Sequence, residues 1–132
     1  MFLITDSPID VPGVLSEISN PENGAVATFM GIVRNHSNGK LVRGLRYEAY
    51  RPMALKSFEN IGHEAKVFWD ISELIIVHRV GTLSVGEIAV LIAASSPHRR
   101  EALSACAYAI NRLKEISPIW KKDLVKTLVH SY

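Results

Sequence analysis

The chain has 132 residues, of which 48% are hydrophobic and 21% charged, and its net charge is +2. That length suits one domain able to bury roughly two-thirds of its unfolded surface without covalent staples. So weak a basic balance does not by itself mark a nucleic-acid binder, although it suits a small anionic ligand.

The first residues lack the basic start and long apolar stretch of a signal peptide. No apolar run approaches the roughly 18 residues of a membrane span, so a cytoplasmic protein is expected. Asp10-Val11-Pro12 predicts a helix start, with Val14, Leu15 and Ile18 as a short apolar face. Asn20 to Gly24 is turn chemistry, and Ala25 to Val33 then reads as a buried strand in which Gly31 marks a bulge or close backbone approach. Arg34 to Lys40 is a polar loop with a strong turn signal at Asn38-Gly39. Leu45, Tyr47 and Ala49 alternate with Arg46, Glu48 and Tyr50, as in a half-exposed strand. Tyr47 and Tyr50 read as sheet and rim residues rather than a base-stacking platform.

After Pro52, the spacing of Leu55, Phe58, Ile61, Ala65 and Phe68 predicts a helix. Leu74 to Val77 is a second buried strand ending at His78-Arg79, where His78 reads as a satisfied structural histidine. Ile88 to Ala94 is a third, between Gly86 and Ser95. The last long helix starts at Pro97 with Ser96 as its cap and runs to about Ile116. On it Cys106 shares a face with Leu103, Ile110 and Leu113 and reads as a small core residue. A lone cysteine forms no intrachain disulfide, which fits a reducing compartment. With no repeat or linker, residues 1–132 read as a single domain. The order strand, strand, helix, strand, strand, helix predicts an α+β fold with two main helices and a mixed, mostly antiparallel sheet.

Three clusters carry candidate chemistry. In Lys114-Glu115-Ile116-Ser117-Pro118-Ile119-Trp120-Lys121, the proline stops the helix at or before Ser117. The chain restarts at an apolar pair that anchors it, so Lys121 can return toward Lys114. Two ammonium groups held together disfavour each other's charge, which would make one a usable base or nucleophile. The same residues would also suit solvated lysines at a helix end, where positive charge complements the dipole.

Ser95-Ser96-Pro97-His98-Arg99-Arg100 places cations where a helix dipole is already positive. That pattern is explained either by a bound anion or by arginines that swing out to Glu101 and solvent. Arg34-Asn35-His36 follows a buried strand and could contact a ligand, though solvated loop arginines are common. The five histidines show no paired metal spacing, one cysteine cannot complete a zinc site, and phosphate-loop, dinucleotide and nucleophile-elbow patterns are missing.

The segments Gly24 to His36, Leu45 to Tyr50, Ile75 to Glu87, Ser95 to Ala102 and Leu113 to Lys122 together resemble the large (catalytic) subunit of molybdopterin synthase, the MoaE-type family. The likeness covers nearly the whole chain with its motifs in order. It implies an α/β hammerhead-type domain and an enzyme that converts cyclic pyranopterin monophosphate to molybdopterin. Sulfur would come from the C-terminal thiocarboxylate of a small ubiquitin-like subunit, whose Gly-Gly tail threads into the large subunit's pocket. A homodimer of large subunits with one small subunit at each end is implied, with no cofactor or metal. Lys114 and Lys121 match the family's pocket lysines. Arg34, His98 and Arg99 match its substrate-binding positive groups, and Phe29 an aromatic position beside that pocket.

One segment departs from the family. Its polar tail, often with a further Arg and Trp, is replaced here by Asp123 to Tyr132. Leu124, Val125, Leu128 and Val129 have helix-like spacing, so this tail is expected to pack on the body or the dimer mate. The alternatives are a non-catalytic, anion-binding dimer of the same fold, against which both lysines argue, and an RNA-binding module, which the lack of aromatics on a basic strand disfavours.

Overall fold

The computed structural model describes residues 1–126. β1 (Phe2–Thr5) leads to α1 (Val11–Glu17), β2 (Ala25–Ile32), β3 (His36–Ser37) and β4 (Lys40–Ala49). α2 (Arg51–Phe68) precedes β5 (Glu73–Arg79), β6 (Gly81–Ser84) and β7 (Ile88–Ser96), and α3 (Arg99–Ile116) precedes β8 (Ile119–Val125). One sheet has the order β1-β5-β7-β2, with β1 parallel to β5 and the other pairs antiparallel. In the second, β4 pairs antiparallel with β3, β6 and β8. The expected α+β class and mixed, mostly antiparallel pairing are both present.

The first sheet is covered on both faces. Phe58 and Ile61 of α2, with Ala102, Ala105, Cys106, Ala109 and Leu113 of α3, pack on Leu74, Ile76, Ile92 and Ala94. Small residues on α3 let that helix approach closely, and each fully buried Ile, Leu or Phe stabilises the fold by about 1.5–3 kcal/mol. Val14 and Ile18, from α1 and its end, cover Ile75, Val77, Leu91 and Ala93 on the opposite face. Val33, Leu45, Leu83 and Ala89 join the two sheets. Among the described residues no helix is long and apolar enough to cross a membrane.

Several local expectations need correction. α3 begins at Arg99 with His98 as N-cap, not at Pro97. Ser96 still serves the helix start, because its hydroxyl accepts from the Ala102 N–H at 3.0 Å and donates to the His98 carbonyl. Leu103 is 59% exposed, and Phe68 60% exposed. The small residues Ala102, Ala105 and Ala109 take the buried face with Cys106, where helical spacing alone would place Leu103. The loop after Val33 folds into a hairpin, with φ of 51° at Asn38 and 77° at Gly39 between β3 and β4. Such a two-residue turn fits strand twist, and glycine adopts it without a Cβ clash. Asp123, Leu124 and Val125 belong to β8, so the start of the tail is a strand held by β4 and not a helix. Leu128 and Val129 lie outside the described residues.

Candidate active site

A proline and a strand pairing build the site. α3 stops at Ser117, which takes extended backbone angles (φ −79°, ψ 130°), as the residue before a proline must. The Ser57 hydroxyl donates to the Ala54 carbonyl at 2.6 Å, so the Ser117 hydroxyl donates to Ser57 Oγ at 2.7 Å and ties the end of α3 to α2. The Tyr50 N–H then holds the Pro118 carbonyl at 3.1 Å. The chain is thereby turned back along β4, where Ile119 pairs with Ala49 and Lys121 with Tyr47. Paired residues of an antiparallel ladder point to the same face, so Tyr47 and Lys121 project together.

That face borders a cleft of about 600 Å³ whose walls include Phe29, Arg34, Tyr47, His78, Lys114 and Lys121. β2 brings Phe29. At its end the pairing register shifts between Gly31 and Ile32, where a Cβ on Gly31 would lie 2.7 Å from Val90 Cγ1. Val33 then docks on the turn before β7, its N–H donating to the Glu87 carbonyl and its carbonyl accepting from the Gly86 N–H, and Arg34 follows at the cleft. Lys114 stands on the last turn of α3.

The electrostatics of the cleft are one-sided. Among the described residues no Asp or Glu lines it, although the Asp123 carboxylate is near enough to act on Tyr47. Among the described residues, no carboxylate comes within ion-pair distance of Arg34, Lys114 or Lys121. Three cations around one concavity repel one another, and a negatively charged ligand would relieve that repulsion. Phe29 adds an apolar wall. Cys106 is no candidate nucleophile, because burial pushes its thiol up to about 11. No group of three or more metal-ligating side chains occurs among the described residues.

His98 and Arg99 do not join this constellation within one chain. They sit exposed at the opposite end of α3 from Lys114, about 22 Å away at about 1.5 Å per residue. Conversely, the cleft includes His78 and Tyr47, which sequence reasoning placed as structural and sheet residues. The alternation around Tyr47 marked its inward face, but nothing local marked its meeting with His78.

The model of the family described as MoaE protein matches residues 4–116. The chain belongs to the MoaE family. A curated relative from Bacillus subtilis, named molybdopterin synthase catalytic subunit, is 46% identical over 93% of this chain and 78% of its own length. A relative of the same name from Arabidopsis thaliana is 46% identical over 88% of this chain and 59% of its own. The crystal structure of molybdopterin synthase from Staphylococcus aureus superposes with a TM-score of 0.89 at 46% identity, covering 93% of this chain and 90% of that one. A complex of subunits 1 and 2 of molybdopterin-converting factor from Helicobacter pylori matches with a TM-score of 0.79 at 28% identity, over 94% of this chain and 84% of that one.

Proposed function

We propose that this MoaE chain is the catalytic subunit of a molybdopterin synthase, moving sulfur from the thiocarboxylate of a small ubiquitin-like protein onto cyclic pyranopterin monophosphate. The observation that carries the reading is the convergence of Lys114 and Lys121 on one carboxylate-free cleft beside Arg34 and Phe29. Both reactants are anionic, so the cleft's excess positive charge attracts each of them. Arg34 can grip phosphate oxygens with two parallel hydrogen bonds. Lys114 acts as proton donor or acceptor at the reacting centre, and Lys121 shares or tunes that role. The relatives' names and the two-subunit complex from Helicobacter pylori support the sulfur-carrying partner.

The distance of His98 and Arg99 from Lys114 becomes intelligible in a homodimer. β2 is the last strand of its sheet, and among the described residues nothing pairs with its outer edge. Val26, Met30 and Ile32 also expose an apolar stripe on one of its faces. Ala25, at the start of β2, pairs with Ser96, two residues before His98, whereas Phe29 to Ile32, at the far end, line the cleft. A second copy laid antiparallel along this edge would bring its own His98 and Arg99 beside the first copy's Arg34. In this reading, substrate phosphate is held across the dimer.

The decisive experiment mixes this protein with a thiocarboxylated small subunit and the cyclic substrate, and measures molybdopterin. Formation of product that stops with Lys114→Ala is the expected result. A protein that binds the substrate but yields no product would make it a non-catalytic, anion-binding relative.

A further inference from the structure

His78 closes β5 on the face that carries Leu74 and Ile76, and it is 4% exposed. Its Nδ1 lies 2.8 Å from the Arg79 carbonyl, an acceptor with no proton to give, so Nδ1 carries the hydrogen. Nε2 is therefore a lone-pair acceptor. Among the described residues it meets no donor, yet it is not among the sealed, unpaired buried atoms. His78 is one of the residues that wall the cleft, so its ring borders that space.

Tyr47 stands against it. The two rings meet edge to face, with centroids 5.1 Å apart and planes at 67°. Tyr47 pairs with Lys121 on one flank and with Gly81, which has no side chain, on the other. Burial and the Asp123 carboxylate raise its pKa above the usual phenol value, while burial lowers that of His78, so both are uncharged at neutral pH. The Tyr47 hydroxyl, too, meets no partner among the described residues, and Tyr47 also lines the cleft. The cleft thus has a cationic part, made by Arg34, Lys114 and Lys121, and a neutral part holding one donor and one acceptor.

We propose that Tyr47 and His78 bind the uncharged heterocycle of the substrate, the Tyr47 hydroxyl donating one hydrogen bond and His78 Nε2 accepting another. This rests on the reading of the cleft as a pyranopterin phosphate site and assigns the ring-binding part of it. The pair discriminates by complementarity: a heterocycle edge with an adjacent acceptor and N–H fits, while an anion of similar size that lacks them leaves both groups unpaired.

The test is calorimetric titration at neutral pH of cyclic pyranopterin monophosphate into the wild-type protein, His78→Phe, His78→Gln and Tyr47→Phe, each first shown to melt like the wild type at that pH. Inorganic phosphate is titrated in parallel. His78→Phe and Tyr47→Phe keep the aromatic packing, and each should weaken the pyranopterin Kd roughly tenfold while leaving the phosphate Kd unchanged. His78→Gln, whose amide oxygen can accept, should recover most of the loss. Pyranopterin affinity unchanged in both Phe variants would overturn the assignment and leave the synthase reading intact. Equal losses for pyranopterin and phosphate would also overturn it, by placing the pair at the anion end. A wild-type protein that binds no pyranopterin would instead remove the proposed function, and this assignment with it.

Discussion

The cations of the cleft differ in what holds them. Lys114 is exposed on the final turn of α3, so the core keeps its packing when that side chain is shortened. Lys114→Ala should therefore melt like the wild type yet lose about 10²-fold or more in molybdopterin formation, as removal of an acid–base group does. Near wild-type turnover in a single-turnover assay would take Lys114 out of the mechanism. Arg34 follows the buried anchor Val33, and Arg34→Ala should weaken substrate binding by about 2 kcal/mol with small-subunit affinity unchanged, both measurable by calorimetry. His78 offers a stability readout. Its folded pKa lies below the ordinary 6.5 because burial disfavours the imidazolium. Above that value both states are neutral and the group contributes nothing. As pH falls below it, the unfolded chain takes up a proton that the folded one refuses, and the fold loses stability. Urea melts of wild type and His78→Phe should diverge in slope between neutral and mildly acidic pH. Parallel slopes would show that His78 titrates as it does in the unfolded chain.

At the scale of elements, legibility followed length and periodicity. α2, β5 and β7 were readable because each supplies a run of apolar residues that fills a core by itself. β1 and β6, four residues each, were not read as strands. They exist because β5 and β4 offer them edges, which is tertiary information. The tail misled for a related reason: Leu124 and Val125 fit a helical spacing, but the ladder from Ile119 to Val125 against β4 outweighs so short a pattern. That Lys114 and Lys121 border one cleft was readable because Pro118 ends α3 and turns the chain locally. The neutral pair was not, since Tyr47 and His78 meet only when β4 and β5 are placed. β4 thus organises the site, and Gly44 is its most sensitive point. A Cβ there would sit 2.2 Å from the Leu83 carbonyl oxygen of β6. Backbone cannot swing aside as a side chain does, so Gly44→Ala should cost about 2 kcal/mol or more in urea denaturation. It should also lower activity by shifting Tyr47 and Lys121. An unchanged midpoint would mean that β6 is free to separate from β4.

For the whole molecule, the central question is why one helix carries candidate site residues at both ends. α3 holds Arg99 at its start and Lys114 near its finish, too far apart to serve one substrate in one chain. A twofold arrangement along the open edge of β2 would turn that separation into two equivalent sites, each completed by the other copy's helix start. The arrangement makes a prediction that no single-chain site can meet. Lys114→Ala and Arg99→Ala should each be poorly active alone. Mixed, and allowed to exchange subunits, they form hybrids in which one site carries both lesions and the other carries neither. With equal amounts and random pairing, half the dimers are hybrids, so about a quarter of all sites are intact and activity should recover to about that fraction of wild type. The control is a Lys114→Ala, Arg99→Ala double variant mixed with either single one, which can form no intact site. Recovery in the first mixture and none in the second would place Arg99 across the dimer. If sedimentation shows that hybrids form but activity stays at the level of the separate variants, Arg99 acts within its own chain or not at all, and the anion in the cleft is held by Arg34 and the lysines alone.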